Sequence, residues 1–112
     1  MSLGKKLMEL RSGLRKQIEV SQWADVIPVI YVRPLSAGDV DKIQRKHKDF
    51  INNPTVAAMV DLIILKAEDK EGEKLFSLED KHFLMGEDLS VISAVATEMF
   101  NDVVSVEDAE KN

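Results

Sequence analysis
The chain predicts an α+β domain, mainly α, with an N-terminal β-hairpin followed by about four helices in a small bundle. Three observations lead there. Two short runs rich in β-type residues, 17–20 and 29–33, stand close enough to pair. Beyond residue 36 the apolar residues recur at helical spacing instead of alternating. The pairs Ser36 with Asp39 and Ser77 with Asp80 then mark helix starts, because a Ser hydroxyl followed three residues later by an acid can satisfy orphan N–H groups at both ends of the first turn.

The elements follow in order. Residues 2–14 space Leu3, Leu7, Leu10 and Leu14 along one helical stripe, with Gly13 weakening its end. An isolated helix of ~12–15 residues is marginal in water, so 1–14 is expected to be a flexible N-terminal helix unless something docks it. Gln17-Ile18-Glu19-Val20 alternates as a strand does, and Val29-Ile30-Tyr31-Val32-Arg33 is β-branched and aromatic. The turn-like Ala24-Asp25 between them, next to Trp23, points to a hairpin, which needs a helix to cover it.

Pro34 ends the second strand because it has no N–H for a ladder. Ser36 and Asp39 then open a helix running to about residue 51, with Leu35 and Val40 placed as a hydrophobic staple. Val40, Ile43, His47 and Phe50 share its apolar side. His47 has no second histidine or acid at ligand spacing, so it reads as a satisfied structural side chain and not a metal ligand. Asn53-Pro54 restarts the chain, Asn as cap and Pro at the first helical position. The helix to Lys66 carries Val56, Met59, Val60, Ile63 and Ile64, widened by Leu62 and Leu65, and Asp61 is the only charge between Pro54 and Lys66. A helix apolar on most sides is buried on most sides, and this one should be central.

Residues 68–76 form a charged turn with Gly72 at its tip. They do not meet the spacing of a calcium loop. Ser77 and Asp80 cap a short helix, 78–85, stopped by Gly86, and Asp88 caps a last helix from Leu89 to about Asn101. Residues 103–112 are expected to fray.

On that last helix Leu89, Ile92, Ala96, Met99 and Val103 form one stripe, with Val95 and Phe100 on its flanks. The face is wide for the core of so small a domain, so Ile92, Val95, Met99 and Phe100 are expected to dock a partner. Met59, Met85 and Met99 read as core packing, although methionine's flexible thioether also suits varied helical partners.

Composition narrows the function classes. With 112 residues, 45% hydrophobic and 31% charged, the chain is one soluble domain spanning 1–112. The absence of cysteine excludes disulfides and thiolate metal sites and agrees with a cytoplasmic setting. No apolar run is long enough for a signal peptide or membrane span. Residues 1–48 carry a net +5 and residues 49–112 a net −10, giving −5 in all. Three readings of that asymmetry stand side by side: solvated helix faces, a nucleic-acid surface, or basic and acidic faces of neighbouring copies meeting head to tail. No nucleophile elbow, phosphate-binding glycine loop or HExxH motif is present, so no catalytic, cofactor or metal residue is assigned and the chain is read as non-enzymatic.

Several stretches resemble one known family. They are Trp23 near a strand, IYVRPLSAGDVDKI at 30–43, ILKAEDKEGEKLFSLED at 64–80 and the acidic close EDAEKN at 107–112. In this order and spacing they are similar to tail assembly chaperones of long-tailed bacteriophages and prophages, over roughly residues 17–112. The resemblance implies a non-enzymatic chaperone that binds the tape measure protein, keeps it soluble and helps bring in the tail tube protein. It also implies a homo-oligomer, and in many members a longer product made by a ribosomal frameshift. The alternatives are a small nucleic-acid-binding regulator, disfavoured because no base-reading helix is evident, and a structural tail or capsid component.

Overall fold
The computed structural model describes residues 2–111, with side chains for all but residues 11, 12 and 101–111. Helix α1 (Leu3–Ser12) precedes strand β1 (Lys16–Glu19), a 3-10 turn (Ser21–Trp23) and strand β2 (Val29–Val32). Then come α2 (Ala37–Lys46), α3 (Val56–Lys66), a second 3-10 turn (Leu78–Asp80), α4 (Lys81–Met85) and α5 (Leu89–Lys111). The chain is therefore α+β and mainly α, with the hairpin at its N-terminal end.

β1 and β2 pair antiparallel with Ile18 opposite Ile30 and Lys16 opposite Val32. Their alternation sends Ile18, Ile30 and Val32 into the core. The free edge of β2 is met by the charged turn at Tyr31: its N–H donates to the Glu68 carbonyl at 2.9 Å and its carbonyl accepts the Glu68 N–H at 2.8 Å. Glu68 also bridges to Lys74, so the acidic segment extends the backbone pairing beyond the hairpin by two isolated bridges. An edge that would otherwise invite pairing with another chain is thus covered.

Gly72 at the tip of that turn has φ +86°, the left-handed region where a side chain is strained. A Cβ there would also lie 3.2 Å from the Arg33 guanidinium. Asp69 organises the turn by accepting the N–H groups of Glu71 and Glu73 at 2.9 and 3.0 Å. Arg15 pins it from outside, donating to the Lys70 carbonyl at 2.7 Å while its guanidinium sits 4.6 Å from the Tyr31 ring centroid.

α3 is the central helix, packed against α2, α4 and α5. Ala58, Val60, Leu62, Ile63 and Ile64 are all buried, as expected of a helix apolar on most sides. Its start differs from the sequence reading. The N-cap is Thr55, whose hydroxyl accepts the Ala58 N–H at 3.1 Å, and Asn53-Pro54 lies in the turn before it. α2 also ends earlier than expected, at Lys46 and not near residue 51. His47 leaves the helix with extended backbone, and Asp49 turns the chain through φ 60° with its carboxylate receiving the Asn52 amide at 3.1 Å. That turn brings Phe50 fully into the core, edge-on to Phe100 with ring centroids 5.1 Å apart.

The expected short helix, 78–85, is split into the 3-10 turn and α4. Gly86 follows it with φ −88°, so its left-handed freedom is not used. α5 continues well past Asn101 to Lys111. The reading of Val103 as a stripe member and of 103–112 as a fraying tail falls outside the residues whose side chains are described.

Candidate functional site
The helix caps stand where the Ser-x-x-Asp spacing places them. Ser36 Oγ accepts the Asp39 N–H at 3.0 Å and Asp39 accepts the Ser36 N–H at 2.9 Å. Asp39 additionally receives Lys66 Nζ at 2.8 Å, which ties the start of α2 to the end of α3. Burial pushes the Asp39 carboxyl up, but the Lys66 and Ser36 contacts outweigh it and hold it below the usual carboxylate value. At the second corner Asp80 accepts the Ser77 N–H at 2.8 Å, with the Ser77 hydroxyl at 3.4 Å.

The lone acid of α3 proves to be a hub. Asp61 is buried, and His47 Nε2 lies 2.6 Å from its Oδ2. Lys46 Nζ stands 3.4 Å from the same oxygen and Lys81 Nζ 3.0 Å from Oδ1. Burial raises the Asp61 carboxyl, and the contacts with His47 and Lys81 and the charge of Lys46 overcome that and keep it below its usual value. An ionised carboxylate only accepts, so His47 Nε2 carries the proton. The same pairing raises the Lys81 ammonium. Asp61 thus holds α3, α4 and the end of α2 together. Its partners were not legible in advance, although a single carboxylate on a buried helix signals that partners exist.

The residues expected to dock a partner divide. Ile92, Val95 and Met99 are buried on the helix that packs against α3, and Val95, at 2% exposure, also faces Ile18 and Val20 of the hairpin. Their face is covered by the chain itself, and the hairpin supplies part of a cover that a helix-only count of the core leaves out. Phe100 is half-buried at the mouth of a cleft of about 100 Å³ between α3 and α5, lined by Phe50, Met59, Leu62 and Ala96. Of the three methionines, Met99 is core, Met59 is half-buried and Met85 is exposed.

The exposed apolar surface lies elsewhere. All four leucines of the N-terminal stripe are exposed, along with Met8. A larger groove of about 530 Å³ opens where the hairpin tip meets α4, walled by Trp23, Val26, Ile27, Phe76, Phe83 and Leu84. Trp23 meets Phe76 edge-on at 6.0 Å and donates its indole N–H to Glu87 at 3.1 Å. Trp23 was a sequence signal, but no spacing rule joins it to Phe76 and Phe83. Among the described residues no cluster of His, Asp or Glu could hold a metal ion, and no helix is long and apolar enough to cross a membrane.

No family model and no curated protein matches the chain. Among solved structures, that of the bacteriophage HK97 tail assembly chaperone superposes with a TM-score of 0.60 over 88% of this chain and 98% of that one, at 17% identity. The chain has the fold of a phage tail assembly chaperone. Nearly the whole of that neighbour is accounted for, so the hairpin, the central α3 and the covering α5 belong to a shared architecture. At this identity the likeness is one of fold, and the surfaces just described are this chain's own.

Proposed function
We propose that the protein is a non-enzymatic tail assembly chaperone of a long-tailed phage or prophage. It binds the tape measure protein and keeps it soluble while the tail assembles in the host cytoplasm, works as a homo-oligomer and assists recruitment of the tail tube protein. The observation that supports this reading most is the chaperone fold shared over almost the entire neighbouring structure. The ordered motifs at 30–43 and 64–80 support it independently.

Within this reading Phe100 is the contact for the tape measure chain. It is the half-buried residue of the α5 docking set and stands at an apolar cleft flanked by Met59, whose thioether adapts to differing partners. Co-expression with the tape measure protein, followed by pull-down, tests the proposal. The tape measure protein should move into the soluble fraction and co-purify. A tape measure protein equally insoluble with and without this chain overturns the reading.

A further inference from the structure
We infer that the cleft between α2, α3 and residues 74–78 docks an acidic, leucine-bearing segment of a partner protein. The cleft, of about 280 Å³, is lined by Lys42, Lys46 and Lys74 around Ile64, Leu65 and Leu78. Lys42 and Lys46 stand one turn apart on α2, so both rise from the same side of that helix. Lys74 comes from the other wall, where the charged turn leads into the second 3-10 turn. Ile64 is buried and forms the floor, whereas Leu78 is 73% exposed at the edge. Leu78 also lines an adjoining cleft of about 460 Å³ with Leu75 and Phe76, so the apolar strip continues past the lysines.

The balance of charge sets the chemistry of the occupant. The chain is acidic overall, at −5, yet three lysines and one acid line this cleft. That acid is already committed, since Asp61 holds His47, Lys46 and Lys81. In the adjoining cleft Asp80 is likewise occupied by the Ser77 N–H at 2.8 Å. Among the described residues no carboxylate pairs with Lys42 or Lys74. The cleft therefore sets two cations that the chain does not neutralise beside an aliphatic strip that it does not cover. A helical segment with Glu on its flanks and Leu along one stripe answers both, carboxylates to the lysines and leucines to Ile64, Leu65 and Leu78. A nucleic-acid duplex answers only the charge, because its phosphates would meet the lysines and leave the aliphatic strip wet. The cleft shares no lining residue with the one at Phe100, so this inference goes beyond the contact proposed for the tape measure chain.

Fluorescence anisotropy on the full chain tests it, with a labelled ~12-residue peptide carrying Leu at helical spacing and Glu elsewhere as the probe. Binding should saturate, weaken with added salt and vanish when every Glu of the peptide is replaced by Lys. Lys42→Glu with Lys74→Glu should weaken it at least about tenfold with unchanged circular dichroism, both side chains being exposed. Lys42→Gln with Lys74→Gln serves as the second variant should charge reversal disturb the fold. Leu78→Asn should also weaken binding, which a contact made by charge alone would not show. No saturation up to about 1 mM peptide overturns the inference. So does equal binding of the Lys peptide, or wild-type binding by both lysine variants. A DNA duplex or oleate that binds more tightly than the peptide and displaces it also overturns it, assigning the cleft to nucleic acid or to a fatty acid. Solubilisation of the tape measure protein plays no part in this readout, so the two proposals fail separately.

Discussion

At the scale of single residues, stability concentrates at two polar points set in an aliphatic core. Ser36 holds the corner between β2 and α2 through a reciprocal cap. Ser36→Ala should lower stability by roughly 0.5–2 kcal/mol, read as a shift in the denaturation midpoint. Asp61 carries more, because it is 8% exposed and gathers His47, Lys46 and Lys81. Asp61→Asn should cost about 1–3 kcal/mol at neutral pH, since a buried acceptor loses charge-assisted partners. Acid should have a related effect. Asp61 and Asp39 both titrate below their ordinary value of 3.8 in the fold. The unfolded chain therefore binds the proton first as pH falls. The stabilisation is complete above about pH 4 and is lost as pH drops through the lowered folded values. A melting temperature followed from pH 6 downward should fall more steeply in wild type than in Asp61→Asn.

At the scale of elements, α5 shows how one stripe serves two purposes. Val95 is sealed between α3 and the hairpin, whereas Phe100 stands at a cleft with one side open. Val95→Ser should therefore lower the melting temperature sharply, by the loss of a buried aliphatic group worth about 1.5–3 kcal/mol together with an unpartnered hydroxyl. Phe100→Ser should leave a folded protein that solubilises less tape measure protein. Thermal denaturation and the soluble yield of partner, measured on both variants, separate the two. A Phe100→Ser protein that folds and solubilises at wild-type level would remove the cleft as the contact. The early end of α2 belongs to the same scale. The helix stops where His47 turns toward Asp61, so a hydrogen bond across the fold accompanies a boundary that local propensity would have carried further.

At the scale of the whole molecule, part of the charge asymmetry is taken up inside the chain. Lys16 pairs with Glu98 at 3.1 Å, Arg33 with Glu68 at 3.4 Å and Lys46 with Asp61, each joining the basic first half to the acidic second. Arg45 pairs within its own helix with Asp41 at 3.0 Å. A surface that binds duplex DNA needs basic side chains free to meet phosphates, and these four are engaged. No sequence-preferring binding to duplex DNA is expected at near-physiological ionic strength. Fluorescence anisotropy with labelled duplexes checks this, and salt-sensitive, sequence-dependent binding would restore the nucleic-acid reading.

What the sequence determined by itself is local and periodic. Strand alternation at 17–20 and 29–33, the Ser-x-x-Asp starts, the turn at Gly72 and the apolar breadth of α3 all depend on residues within a turn or two of one another. Local hydrogen bonding and backbone sterics decide such features, and the hairpin-then-helices class followed from them. The family resemblance was legible for the same reason, being carried by the order of such local motifs. Only the tertiary structure decided which faces are covered. It placed Val95 under the hairpin, left the Leu3–Leu14 stripe uncovered, gathered Trp23, Phe76 and Phe83 into one groove, and moved the α3 cap from Asn53 to Thr55. Periodicity states that a face is apolar, but burial is a property of two surfaces meeting. The residues that meet, such as Tyr31 with Glu68 or His47 with Asp61, are separated by stretches whose path no local rule fixes.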